Sequence, residues 1–159
     1  MMNHDDINLP WVVAEVTAAF YRYEDALVSN NIAVLDELFW HDKNTVRLGA
    51  GENLYGIDEI RAFRAARPSA GLQRTLRHTV ITTFGEDYAV CSTEFTREGT
   101  ERIGRQQQTW VRFAYGWRIV AAQVSFDGVM KRCVGLHKSL CLLWKNHCGH
   151  FTNGSHISG

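Results

Sequence analysis

The side chains with chemistry to offer are a tyrosine at 23, an arginine at 47, a histidine at 78, a cysteine at 91 and carboxylates at 24, 25 and 94. None stands in a nucleophile or metal motif: the chain has no Gly-x-Ser-x-Gly, no Walker loop, no Gly-x-Gly-x-x-Gly and no His-Glu-x-x-His. Covalent and metal catalysis lose ground to proton transfer and anion binding. Tyr23 falls on an apolar helical stripe, where a phenol needs a polar partner, either a bound substrate or a backbone group. Arg47 alternates with Val46 and Leu48, which places it on the solvent face of a half-buried strand or, if the sheet curls into a cone, inside the pocket. Glu24 and Asp25 are adjacent on a helix and point apart, so they are not a paired-carboxylate site. Cys91 and His78 read first as a small buried hydrophobe and a satisfied strand histidine. Glu94, if buried, must be paired or protonated.

The elements that must position these groups follow from periodicity. Pro10, after Asn8, opens a helix whose apolar positions Val12, Val16, Phe20, Tyr23 and Leu27 recur at three and four. Asn31 can cap a second short helix through Val34, Leu35 and Leu38, closing on Phe39-Trp40. Residues 45–48 form a short strand, and Gly49-Ala50-Gly51 marks a turn or a close backbone approach. After Gly56 a third helix places Ile57, Ile60 and Phe63 inward, with Arg61 and Arg64 flanking, and stops at Arg67 before Pro68. From Arg74 the pattern becomes four antiparallel strands: 76–84, 88–96, 105–113 and 117–125. Helices first and a meander after them predict an α+β domain with the helices on one face of the sheet. A long sheet must twist, and a twisted one can curl into a cone whose mouth holds a ligand.

Composition sets the outer bounds. At 159 residues, 45% apolar and 21% charged, the chain suits one globular domain. No apolar run approaches the ~18 residues that span a bilayer, and the acidic start does not resemble a signal peptide, so a cytoplasmic protein is expected. A formal net charge of zero disfavours nucleic acid as a partner. Residues 1–125 carry twelve Arg and one Lys against sixteen acids, a net of −3. That preference for Arg reflects either selection for planar, bidentate anion binding or codon usage. Residues 126–159 differ, with three of the four Cys and three of the four Lys. Cys133, Cys141, Cys148 and His150 are spaced 8, 7 and 2 apart, which matches no common zinc pattern. The segment reads as an atypical tail, disordered or non-native.

Several segments in order carry a resemblance: Phe39-Trp40-His41, Thr45-Val46-Arg47-Leu48-Gly49, Ile60-Arg61-Ala62-Phe63-Arg64, Gly104 through Arg112, and Gly116-Trp117-Arg118-Ile119-Val120-Ala121-Ala122. Together they resemble the AtzH-like family, and more narrowly its oxalurate-catabolism branch, within the SnoaL-like and nuclear-transport-factor-2-like superfamily. The resemblance spans about residues 6–125. It implies the cone fold, a homodimer formed through the sheet, and a metal-free, cofactor-free decarboxylating amidohydrolase acting on a small anionic ureide. The rival it leaves open is a non-catalytic helper beside an oxalurate amidase. It assigns catalysis to Tyr23 and Arg47, and Trp40, Arg64, Arg105 and Gln108 become candidate substrate contacts. Alternation sets Arg105 and Gln108 on opposite faces unless a bulge after Gly104 intervenes. Only one of the two is then expected to line the cone.

Overall fold

The computed structural model describes residues 2–128, and the tail reading, including its Cys and His residues, lies outside them. Three helices, α1 (Pro10–Val28), α2 (Ile32–Leu38) and α3 (Ile57–Ala66), pack on one face of a six-stranded sheet. The strands are β1 (Val46–Leu48), β2 (Asn53–Tyr55), β3 (Thr75–Phe84), β4 (Tyr88–Thr96), β5 (Gly104–Phe113) and β6 (Gly116–Phe126), in spatial order β2-β1-β6-β5-β4-β3. The curved sheet and its helices make the expected α+β cone. It is mixed rather than wholly antiparallel, because β1 joins β6 in parallel.

Each helix follows from its sequence. All five stripe residues of α1 are buried. Its entry is pinned from outside: Asn8 at positive φ exchanges bonds with β3, its Oδ1 accepting from the Thr83 backbone N–H at 2.9 Å. Asn31 caps α2 by accepting from the Val34 N–H. Arg67, extended before Pro68, ends α3.

The sheet closes on the core through Ala89, Cys91, Trp110, Trp117, Ile119 and Ala122. A fully buried side chain such as Phe20 or Trp110 contributes roughly 1.5–3 kcal/mol or more through apolar burial. Two irregularities bend the sheet. One lies between Arg77 and Val80 of β3, where His78 takes a positive φ; the other gives β6 an extra residue at Val120, between the pairs Thr109–Ala121 and Trp110–Ile119. Gly104 serves a close approach: a Cβ there would overlap the Phe95 ring, which lies across the strand.

Candidate functional site

The inner face of the sheet carries a row of partners running Arg47, Ala122, Gln108, Cys91 and Ile81 across β1, β6, β5, β4 and β3. Arg47 therefore points into the cone, where it is 6% exposed. Its guanidinium lies 4.9 Å from the centroid of the Phe63 ring and donates to the Glu52 carboxylate. Gly49 leaves the room that this carboxylate occupies, so the glycine run is indeed a close approach.

Tyr23 arrives from α1, 2% exposed, with its ring edge-on to Phe39. Its partner is Arg64 of α3, whose Nη2 donates to the phenol oxygen at 3.0 Å. Because Arg64 donates, the tyrosine O–H remains free to be given elsewhere. Arg64 does not flank the apolar stripe of α3. It follows Ile57 and Ile60 on that face and is 4% exposed, while Arg61 lies outside on Asp36. On its far side Arg64 lines a groove of about 380 Å³ between α2 and α3, walled by Ile32, Ala33, Leu35, Ile60 and Ala65.

Polar accounting defines what the interior lacks. Arg64 Nε and Nη1, Arg97 Nε and Gln108 Nε2 are buried donors with no acceptor among the described residues. Gln108 spends its oxygen on the Trp110 indole N–H at 3.2 Å. The Thr83 hydroxyl is also buried without a partner, so four of the five orphans are donors only; because buried polar groups are ordinarily paired, these four mark places for an acceptor-rich ligand. The interior carboxylates are already engaged. Glu24 takes Arg74 through bonds of 2.6–2.9 Å and Gln106 at 3.0 Å, which closes a neutral network beside the site. Asp25 faces solvent, so the two adjacent carboxylates do point apart.

Unpaired positive charge accumulates instead. Burial, then the like charges of Arg64, Arg97 and Arg47, push the Arg67 guanidinium down to about 10 from its usual 12.5, although Tyr23 acts the other way. Arg97 is also pushed down, by burial and by Arg74. Both Arg74 and Arg97 lie over the Phe95 ring, at 4.5 and 5.4 Å from its centroid.

Trp40 and Arg105 are placed elsewhere. Trp40 stacks on Phe113, with centroids 5.7 Å apart; Phe113 points away from α1, whereas its neighbour Arg112 reaches Glu15 on that helix. The bulge comes after Thr109, too late to change the register of Arg105, which points outward while Gln108 is 1% exposed inside. Arg105 lines an outer-face groove of about 410 Å³ with His78, Glu94 and Gln107. There Glu94 is half-exposed and bonded to His78 at 3.0 Å rather than to an arginine. Cys91 is fully buried, and burial pushes its thiol up to about 12, the opposite of a reactive thiolate. Among the described residues no three His, Cys, Asp or Glu side chains group as a metal site requires.

Arg67 and Arg97 were missing from the sequence candidates. Arg97 carried a signal, because it continues the inward alternation Cys91, Thr93, Phe95 one residue past β4. Arg67 carried none; its direction depends on how the chain breaks at Pro68.

Helices over a curled sheet with buried polar side chains between them define a domain of the nuclear-transport-factor-2-like class. The chain belongs to the AtzH-like family, which matches residues 5–129. No curated protein is similar enough to match. Among solved structures, a protein of unknown function from the DUF3225 family of Pectobacterium atrosepticum is 70% identical, covering 80% of this chain and 100% of its own, with a TM-score of 0.80. A cystatin-like fold protein of Burkholderia xenovorans is 48% identical over 79% of this chain and 97% of its own, with a TM-score of 0.74. A nuclear transport factor 2-like protein of Salmonella enterica, 21% identical over 79% of this chain and 98% of its own, shares the fold at a TM-score of 0.61.

Proposed function

We propose that this protein is a metal-independent, cofactor-free decarboxylating enzyme of the amidohydrolase kind, acting on a carboxylated urea or ureide. We place it with the oxalurate-catabolism proteins of the HpxZ type, in purine-nitrogen breakdown, as a cytoplasmic homodimer. The observation that carries the reading is the Tyr23–Arg64 bond set among buried donors that have no acceptor. Such a lining suits a planar, anionic, carbonyl-rich molecule.

The chemistry asked of these groups is modest. On a carboxylated urea such as dicarboxyurea, loss of carbon dioxide from an N-carboxylate breaks the C–N bond, leaves the electron pair on nitrogen and requires one proton there; oxalurate, whose carboxylate is on carbon, would react by hydrolysis instead, water adding to an amide carbonyl as its C–N bond breaks and the leaving nitrogen takes the proton. Tyr23 gives that proton from its free O–H, and Arg64 offsets the charge left on the phenol oxygen. Water then returns the proton to Tyr23. Arg47, released from Glu52, offers a planar fork to a carboxylate or to a carbonyl gaining charge. Gln108 Nε2 supplies a further donor.

The test is to incubate the purified protein with oxalurate and with dicarboxyurea and to follow release of carbon dioxide and ammonia. Tyr23→Phe is expected to lower turnover by about 100- to 10,000-fold, the span of general acid catalysis, with the fold intact. Arg47→Met abolishes turnover and Arg47→Lys does not restore it, because the charge returns without the fork. Saturable binding without turnover of either compound would instead make this a helper for an oxalurate amidase.

A further inference from the structure

We propose that Glu52 is a specificity-determining residue: its carboxylate holds the seat on Arg47 that a ligand carboxylate must take, so that binding is an exchange of one anion for another. The inference rests on the proposed function only in taking Arg47 as the ligand's fork.

One end of this ion pair is fixed and the other is free to leave. Arg47 is almost fully buried, and the Phe63 ring, 4.9 Å from centroid to guanidinium, holds it from one side. The Glu52 side chain is 27% exposed, at the end of the turn between β1 and β2, where its carboxylate accepts from Arg47 Nη1 and from the Gly51 backbone N–H at 3.3 Å. The turn is closed by main chain, the Gly49 N–H donating to the Glu52 carbonyl at 2.7 Å, so the side chain can swing out while the backbone stays. Gly49 is what lets it swing in. A Cβ at 49 would overlap the Glu52 carboxylate, yet Gly49 takes no left-handed φ, so the glycine serves room rather than conformation. The other interior pair has no such freedom. Glu24 is buried and takes Arg74 Nε, Arg74 Nη2 and Gln106 Nε2 together.

A buried guanidinium stripped of its counter-ion is strongly unfavourable, whereas trading one carboxylate for another conserves the charge. A neutral ligand on this seat would leave Arg47 unpaired; an anionic one would not. The displaced Glu52, already the more exposed partner, recovers its hydration as it leaves. The resident carboxylate thus makes the seat reward charge, and it weakens every ligand by the strength of the contact that has to be broken first.

The test is an NMR titration of the full chain with acetate and with acetamide, its neutral isostere, for the wild type, Glu52→Gln, Gly49→Ala and the double variant. The wild type is expected to bind acetate at least about tenfold more tightly than acetamide, the factor one charged hydrogen bond supplies. Glu52→Gln keeps the resident's shape and removes its charge. Gly49→Ala keeps the charge and crowds the carboxylate off Arg47. Each is expected to gain about tenfold toward acetate, and the double variant no more than about twofold beyond either, because both changes remove the same competitor. Arg47→Met added to either variant abolishes the gain. Unchanged or weaker acetate binding in either single variant overturns the inference, as do additive gains, a gain that survives Arg47→Met, or a wild type that holds acetamide as well as acetate. Turnover is not part of this measurement. A protein that shows the exchange, yet releases no carbon dioxide from carboxylated ureas, keeps the role of Glu52 and loses the enzymatic reading; one that turns them over while both variants bind acetate as the wild type does has the opposite outcome.

Discussion

Replacing Arg67 by Met should make the protein more stable, because it removes a half-buried charge that has no ion-pair partner among the described residues. The guanidinium is half-buried, makes no side-chain hydrogen bond among the described residues, and is held at about 10 against its usual 12.5. Taken at face value that depression corresponds to about 3 kcal/mol of destabilisation. Solvent screening of a half-exposed group reduces it to roughly 1–2 kcal/mol. The sign is fixed by linkage. A base whose folded value is depressed costs stability in full below about pH 10, and the cost fades as pH rises from about 10 toward 12.5. Met keeps most of the aliphatic packing and drops the charge. Urea unfolding at pH 7, followed by tryptophan fluorescence, should show the variant ahead by that margin, and thermal melting should rise by about 3–8 °C. A variant less stable than wild type at pH 7, or a gap that does not narrow as pH rises from about 10 toward 12.5, would refute the reasoning.

Glu24→Gln strands the Arg74 guanidinium in the core without its anion and should cost about 3–5 kcal/mol in urea unfolding, with most of it recovered when Arg74→Met is added. Gly104→Ala drives a methyl group into the Phe95 ring across the strand, so a loss of about 1–3 kcal/mol in urea unfolding is expected. Cys91 should resist iodoacetamide in the native protein and react on unfolding, as peptide mass mapping would show. Its raised thiol contributes stability present below about pH 9 and lost as pH rises from there toward about 12.

The helices were legible because their signals are local. The α1 stripe and the Asn31 cap need only residues within a turn or two of each other, and the structure has both. Alternation likewise separated Arg105 from Gln108, since no bulge falls between them. What stayed hidden depended on distant partners. The three residues of β2 are too few to show a period, and the parallel pairing of β1 with β6 joins segments more than seventy residues apart. Arg47 was ambiguous for the same reason: its face is decided by which residue of β6 it meets, and Ala122 turns it inward only because Val120 adds a residue to that strand. Arg64 was misplaced beside its stripe because periodicity treats a charged residue as outward by default. Only the phenol on another helix explains why burying it is tolerable.

The distribution of charge has a consequence for how a ligand is chosen. The first 125 residues carry a net −3, and although Arg47 and Arg64 are buried, Arg22, Arg61, Arg77, Arg102 and Arg105 are exposed among a surplus of acids, so the exterior offers an approaching anion no net long-range attraction. Whatever discrimination the pocket makes has to arise at contact, from guanidinium forks and a phenol held in a partly dry interior where screening by salt is weak. An arrangement of that kind favours selectivity over speed of capture, because the full interaction appears only after the ligand has shed its water and met several donors at once. It also explains the arginine preference better than codon usage does at these particular positions. A lysine at 64 would carry the same charge, but it could not give one hydrogen to Tyr23 and still present two further N–H groups in a fixed plane to a substrate.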